Sequence, residues 1–374
     1  MQQSLNSFLE YKSLYYNKID YTIVNKAWNT IEAHVQIPYV IHIIGTNGKG
    51  STGRFLSDIL HQKGFDTLHY SSPHIVEFNE RIWINGKNSS DEELESSHEK
   101  LKEILDEQTL EKLTYFEYTT LLALYLSSKR DYLVLEAGLG GEFDATNVLK
   151  NDLTLVTPIG LDHQNFLGDT IEEITHTKVR SCDNTMIVAS QKNKEVYEVL
   201  AKYKDKVDVK FVEDFDIDVS DAELPVYLKN NLKHSLSALK YLGVDSTDYK
   251  LPRLFGRCDK ISDKITIDVG HNTLAARVIK EHFIDKKVTL VYNSYSDKDY
   301  KGVLKILFPI IESLEIIKLD DKRIVDRESI ADVCKELNIK YCDFEKIEED
   351  KEYLVFGSFL VVEEFLRWHK SFEK

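Results

Sequence analysis

Cysteine is scarce: four residues in 374, at positions 182, 258, 334 and 342, none of them in a Cys-x-x-Cys pair. That usage speaks for reduced thiols in a cytoplasmic protein rather than for a disulfide framework. Long apolar runs are missing as well. No stretch approaches the about 18 apolar residues of a spanning helix, so no membrane segment is expected. Positive charge is in deficit, with 48 Lys and Arg against 63 Asp and Glu and a net charge of −15. A general affinity for nucleic acid or anionic membrane needs clustered basic residues and is not expected here. Residues 1–6 (MQQSLN) carry neither a basic segment nor an apolar run, so no secretory signal is expected. No internal repeat or low-complexity tract is visible.

What is present fits a globular protein with a full core: 42% hydrophobic and 30% charged residues over a length that suggests two domains. The stretch Tyr39-Val40-Ile41-His42-Ile43-Ile44-Gly45-Thr46-Asn47-Gly48-Lys49-Gly50-Ser51-Thr52 organises the first of them. An apolar, β-favouring run ends in a Gly-rich turn, a Lys and two hydroxyls. Residues 53–64 then place Phe55, Leu56, Ile59 and Leu60 at helical spacing. Strand, Gly-rich loop, Lys and helix make the layout of a phosphate-binding loop, in which backbone N–H groups, the helix N-terminus and the Lys meet phosphate oxygens. The spacing departs from the common GxxxxGK[ST]: the interval Gly45–Gly48 is shorter and Gly50 separates Lys49 from Ser51. The plainer alternative is a strand-to-helix turn without a ligand.

Residues 4–16 and 23–33 read as helices. Residues 65–70 read as a strand closing a βαβ unit and ending in Ser71-Ser72-Pro73-His74; residues 83–87 read as a hairpin strand and turn. Residues 90–108 read as one acidic amphipathic helix and 114–127 as a buried one. Strands are expected at 131–136, 153–157 and 186–189, helices at 194–204 and 227–242, while 207–222 is charged and weakly patterned. After a linker at 243–252, strands at 264–268, 288–292 and 353–358 alternate with helices. The fold class is thus α/β: a P-loop, doubly wound, mostly parallel sheet domain at residues 1–254, followed by a smaller Rossmann-like α/β domain at 255–374.

Four strand ends carry groups suited to phosphate and metal: the Gly45 loop, Ser72, Glu136 and His163. A carboxylate fixed by a buried strand is a hard oxygen ligand for Mg²⁺. Taken singly, Glu136 could equally pair with an Arg or a helix N-terminus, Ser72 could cap a turn, and His163 could be a hydrogen-bonded structural residue beside Asp162.

The sequence resembles the Mur ligase superfamily at Gly45-Thr46-Asn47-Gly48-Lys49-Gly50-Ser51. Within it, the chain is similar to the folylpolyglutamate synthase and dihydrofolate synthase family. The segments that carry this likeness are Ser72-Pro73-His74, Asn79-Glu80-Arg81-Ile82, Glu136-Ala137-Gly138-Leu139-Gly140-Gly141 with Asp144, Thr146 and Asn147, and Gly160-Leu161-Asp162-His163. Gly256-Arg257, Asp268-Val269-Gly270-His271-Asn272, Asp297-Lys298-Asp299 and Gly357-Ser358 follow in order.

The resemblance implies ATP and two Mg²⁺ ions. Residues Gly45 to Thr52, with Asn231, Arg257, Asp268 and His271, would hold the nucleotide. Ser51, Ser72, Glu136, His163 and Lys178 would ligand the metals, Lys178 falling where the family carries a carbamylated lysine. Lys49, His163, Lys178 and His271 would be catalytic. Phe116, Glu117, Arg81, Asp144 and Ser296 would contact substrate. The implied reaction adds L-glutamate to dihydropteroate or a reduced folate through an acyl phosphate, with closure of the two domains gating it. A monomer acting in the cytoplasm on small molecules is expected. Two alternatives stand beside this: a superfamily ligase acting on a cell-wall or peptide precursor, and a nucleotide-binding protein without catalysis.

Overall fold

The computed structural model describes residues 4–13 and 21–372. They divide into two compact units, one comprising 1–222 and 228–252, the other 223–227 and 253–374.

The first unit is built on an eight-stranded sheet: β1 (Tyr39–Ile44), β2 (Thr67–Tyr70), β3 (Ile82–Ile84), β4 (Lys87–Asn88), β5 (Tyr132–Glu136), β6 (Leu153–Val156), β7 (Thr185–Val188) and β8 (Asp208–Phe211). The spatial order is β4-β3-β2-β5-β1-β6-β7-β8. Pairing is parallel from β2 to β8 and antiparallel across β2–β3 and β3–β4. The central strands are buried on both faces and mainly apolar, as a sheet covered by helices on both sides requires.

Its helices are α1 (Leu5–Glu10), α2 (Tyr21–Ile31), α3 (Lys49–Gln62), α4 (Asp91–Ile104), α5 (Glu107–Lys112), α6 (Tyr115–Leu126), α7 (Gln164–Leu167), α8 (Ile171–Val179) and α9 (Lys194–Ala201). The next, α10, runs over Val226–Tyr241. The helix expected at 4–16 is observed over Leu5–Glu10; its last residues lie outside the described ones.

Three local readings are corrected. Helix α3 begins at Lys49, four residues before the expected start. Gly48, at φ 92°, supplies the left-handed N-cap, so the glycines at 50 and 53 lie inside the helix. The acidic helix expected over 90–108 is two helices. The chain extends at Leu105, and Asp106 caps α5 by accepting from Thr109 N at 2.8 Å. The stretch 207–222 is not featureless, and the sheet gains an edge strand there. Val207, Val209 and Phe211 pack on the core while Asp208 and Lys210 alternate with them.

The second unit holds a six-stranded sheet in the order β13-β12-β11-β14-β10-β9. Its strands are β9 (Asp259–Ser262), β10 (Ile265–Asp268), β11 (Val288–Tyr292), β12 (Ile311–Ile316), β13 (Lys340–Asp343) and β14 (Tyr353–Phe356), all parallel except β9. Helices α11 (Thr273–His282), α12 (Tyr300–Leu307), α13 (Arg327–Glu336) and α14 (Phe359–Phe372) complete it. Among the described residues no helix is long and apolar enough to cross a membrane.

Candidate active site

Strands β2, β5, β1 and β6 are neighbours and run parallel, so the loops leaving their C-terminal ends share one edge of the sheet. Ligands of open α/β sheets collect at that edge. The Gly45 loop, Ser72, Glu136 and the segment from Thr157 to His163 all lie there.

The Gly45 loop is held by the loop after β6. Thr46 N and Asn47 N donate to Pro158 O at 3.0 and 3.3 Å, and Thr46 Oγ1 exchanges hydrogen bonds with Gly160. Gly45 has φ 138°, and a Cβ on it would stand 2.0 Å from Thr157 Oγ1 and 2.8 Å from the Thr157 carbonyl oxygen. Gly45→Ala is therefore expected to cost about 2–3 kcal/mol of stability, read as a lowered thermal midpoint. An unchanged midpoint would show that the loop yields without cost. Gly48 faces the Asn231 side chain, whose Oδ1 would lie 2.8 Å from a Cβ. Asn231 thus sits against the start of α3, and its Nδ2 is buried without a partner among the described residues.

Two lysines converge on one carbonyl. Lys49 Nζ donates to Gly45 O at 3.3 Å and to Thr46 O at 3.4 Å; Lys178 Nζ, from α8, donates to Gly45 O at 2.9 Å. Lys178 is 4% exposed. Burial, with Lys49 close by, brings its amine down to about 7, against the opposing pull of Asp162 and Asp144. Such a lysine is neutral for part of the time near pH 7, which an exposed one is not. Ser51 and Thr52 are buried in the first turn of α3, and Thr52 Oγ1 has no partner among the described residues.

Glu136 ends β5, paired in register with Ile43 of β1, and is 6% exposed. Ser72 N donates to its Oε2 at 3.3 Å. His163 is different: it takes a left-handed conformation (φ 49°) before α7, its side chain is 43% exposed, and Asp162 Oδ1 lies 3.9 Å from its Nε2.

The five residues expected at substrate are placed unevenly. Phe116 packs its ring on Gly138, where a Cβ would lie 2.5 Å from the ring. Arg81 is buried and donates through Nε to His74 Nδ1 at 2.8 Å. Glu117 folds back on its own helix. Its Oε2 accepts from Thr114 N and Oγ1 at 2.9 Å in a capping box, and Oε1 is buried without a partner among the described residues. Asp144 is equally engaged, accepting from Leu139 N at 2.6 Å, Thr146 N at 3.0 Å and Thr146 Oγ1 at 2.6 Å. Both carboxylates are thus used as local caps. Thr146 Oγ1 also lies 2.9 Å from His42 Nε2. Since the hydroxyl donates to Asp144, His42 Nε2 carries the proton. The chain His42–Thr146–Asp144 ties β1 to the glycine loop after Glu136. Ser296, in the second unit, is exposed and donates its backbone N–H to Arg323 O at 2.8 Å.

In the second unit Asp268 ends β10 and accepts from Gly270 N at 2.7 Å, Cys258 N at 2.8 Å and Tyr227 Oη at 2.9 Å. Burial pushes its carboxyl up, and Arg257 opposes that shift. Arg257 lies over the Phe359 ring at 5.1 Å, and His271 Nδ1 lies 3.2 Å from Val269 O. A carbonyl only accepts, so His271 carries its proton on Nδ1.

Sequence reasoning missed His42 and the pairing of Arg81 with His74. The signal for His42 was a polar residue in the middle of an apolar strand.

No family model matches the chain. Among curated proteins, the dihydrofolate synthase/folylpolyglutamate synthase of Haemophilus influenzae is 32% identical, the match covering 88% of each chain. Among solved structures, Helicobacter pylori folylpolyglutamate synthetase superposes with a TM-score of 0.80 at 36% identity over 98% of both chains. A bifunctional folylpolyglutamate synthase/dihydrofolate synthase with Mn, AMPPNP and L-glutamate bound superposes with a TM-score of 0.81 at 26% identity over 98% of both. With a relative this similar along most of its length, the chain belongs to the dihydrofolate synthase/folylpolyglutamate synthase family.

Proposed function

We propose that the protein is an ATP-dependent ligase that joins L-glutamate to dihydropteroate, a reduced folate, or both, releasing ADP and phosphate. The observation that carries this reading is the convergence of Lys49 and Lys178 on Gly45 O, at the sheet edge where β5 delivers the buried Glu136 carboxylate.

In the proposed reaction a substrate carboxylate oxygen attacks the γ-phosphorus of ATP, the bond to the β-phosphate oxygen breaks, and ADP leaves. The glutamate amine then attacks the acyl carbon, phosphate departs, and the nitrogen loses a proton. Both partners in the first step are anions, so the barrier is mainly electrostatic. The first-turn amides of α3, which begins without a side-chain cap, and Lys49 hold the nucleotide phosphates. Asn231, against Gly48, borders the same loop. Phe116 lines the side that takes the acid, and Arg81 binds a carboxylate. We extend the nucleotide role to Arg257, Asp268 and His271, gathered at the C-terminal end of β10 in the second unit.

The donors suit Mg²⁺: one buried carboxylate, the hydroxyls of Ser51 and Ser72, and the imidazole of His163. Bound there, Mg²⁺ supplies charge neutralisation between phosphate and carboxylate. Lys178 fits this set only as a carbamate. Its neutral amine nitrogen adds to the carbon of CO₂ and loses a proton, which replaces a repelling cation by an anionic oxygen ligand. The amine held near neutrality supports that assignment. On this reading the enzyme acts in the cytoplasm, as a monomer, on small molecules.

A coupled ADP-release assay tests the proposal, with dihydropteroate and tetrahydrofolate each run with and without L-glutamate. ADP is expected only when acid and glutamate are both present. Release with ATP alone, or without an amide product, would sink the reading.

A further inference from the structure

The segment between Ser72 and Arg81 is folded around one side chain. The Glu80 carboxylate accepts from three successive backbone amides, Ile75 N at 2.8 Å, Val76 N at 2.9 Å and Glu77 N at 2.9 Å. The loop so fixed brings His74 to Arg81, whose Nε donates to His74 Nδ1 at 2.8 Å. The guanidinium lies over the Tyr115 ring at 5.2 Å.

Arg81 is only 8% exposed, yet among the described residues no carboxylate pairs with it. A guanidinium is always charged, and burying it without a counter-charge is unfavourable. Arg253 shows the contrasting arrangement in this chain. Its Nε and Nη2 are both taken by the Asp259 carboxylate, at 2.9 and 3.0 Å, and the charge is spent within the fold. At Arg81 the Nε edge meets a neutral ring nitrogen instead. Arginine can only donate, so His74 Nδ1 is the unprotonated acceptor and the ring proton sits on Nε2. The imidazole therefore fixes the guanidinium plane without neutralising it. The Nη groups keep their donors and their charge for a planar anion.

We propose that His74 is a positioning residue, which holds Arg81 through Nε so that its Nη groups receive a carboxylate of a reactant, either the acid substrate or L-glutamate. The proposal rests on the ligase reading above and adds to it how Arg81 is kept available.

The test measures KM for ATP, for the acid and for L-glutamate in wild type, His74→Ala, His74→Asn and His74→Asp, together with thermal midpoints. His74→Ala is expected to raise KM for one of the two carboxylate reactants about tenfold or more, with KM for ATP and the midpoint near wild type. Whichever KM rises identifies the source of the carboxylate. His74→Asn places an amide oxygen near the position of Nδ1 and is expected to recover most of the loss. His74→Asp supplies a counter-charge and is expected to bind no better than His74→Ala. Unchanged KM values in His74→Ala, a parallel loss in all three with a lowered midpoint, or no recovery in His74→Asn would each overturn the proposal while leaving a wild-type ligase intact. A wild type that makes no amide would remove the ligase reading itself, and this proposal with it.

Discussion

Glu136→Gln is expected to lower kcat/KM by about 10²–10³, the loss that follows from removing several kcal/mol of metal-assisted charge stabilisation. The substitution is a narrow one. Glutamine has nearly the same volume in a site that is 6% exposed, and its carbonyl oxygen can still accept from Ser72 N, which now lies 3.3 Å from Oε2. What disappears is the negative charge at the end of β5. The thermal midpoint is therefore expected to hold and the Mg²⁺ concentration for half-maximal rate to rise. A melting curve measures the first, and steady-state rates across a Mg²⁺ titration measure the second. A variant within threefold of wild type at every Mg²⁺ concentration would remove Glu136 from the metal site.

Lys178→Ala and Lys178→Arg are expected to lose activity by a similar factor, about 10²–10³, for opposite reasons. Alanine removes the side chain, while arginine stays charged at all working pH values and cannot add CO₂. The pH dependence follows from the sign of the shift. The wild-type amine is brought from 10.5 down to about 7, so it is cationic below that pH and neutral above it. Carbamate needs the neutral form, so activity at fixed total bicarbonate is expected to fall as pH drops through about 7. Added bicarbonate should raise the wild-type rate on that acid limb and leave both variants unaffected. A short carboxylic acid such as acetate should partly restore Lys178→Ala by returning an anionic oxygen. If Lys178→Arg keeps full activity, Lys178 acts as a cation and the carbamate is refuted.

What the residues disclosed and what they hid divide along physical lines. Strands β1, β2, β5, β6 and β7 were legible because each is a short apolar, β-favouring run ending in Gly, Pro, Ser or a charged residue. The Gly45 loop was legible because its chemistry is local: close backbone approach needs glycine, and Lys49 follows four residues on. Strand β8 was hidden because an edge strand with one solvated face interleaves Asp208 and Lys210 with its apolar residues. The true start of α3 was hidden by its glycines. Gly53 serves packing there, since a Cβ would lie 2.3 Å from His69 Nε2. The side-chain pairings were hidden for a different reason. Lys178 on Gly45 O, His42 on Thr146 and Arg81 on His74 join segments 133, 104 and 7 residues apart. Such contacts depend on how helices lie on the sheet and on how a loop folds, which periodicity does not carry. Glu117 and Asp144, which the family resemblance marks for substrate, each also tie backbone amides, and those local bonds were equally hidden.

If a substrate carboxylate takes the γ-phosphoryl group of ATP before glutamate is joined, one carboxylate oxygen leaves with the phosphate. An acid substrate labelled with oxygen-18 in the reacting carboxylate, followed by mass analysis of the released phosphate, measures that transfer. One labelled oxygen is expected in each phosphate formed, in step with amide product. Unlabelled phosphate accompanying full amide formation would contradict it.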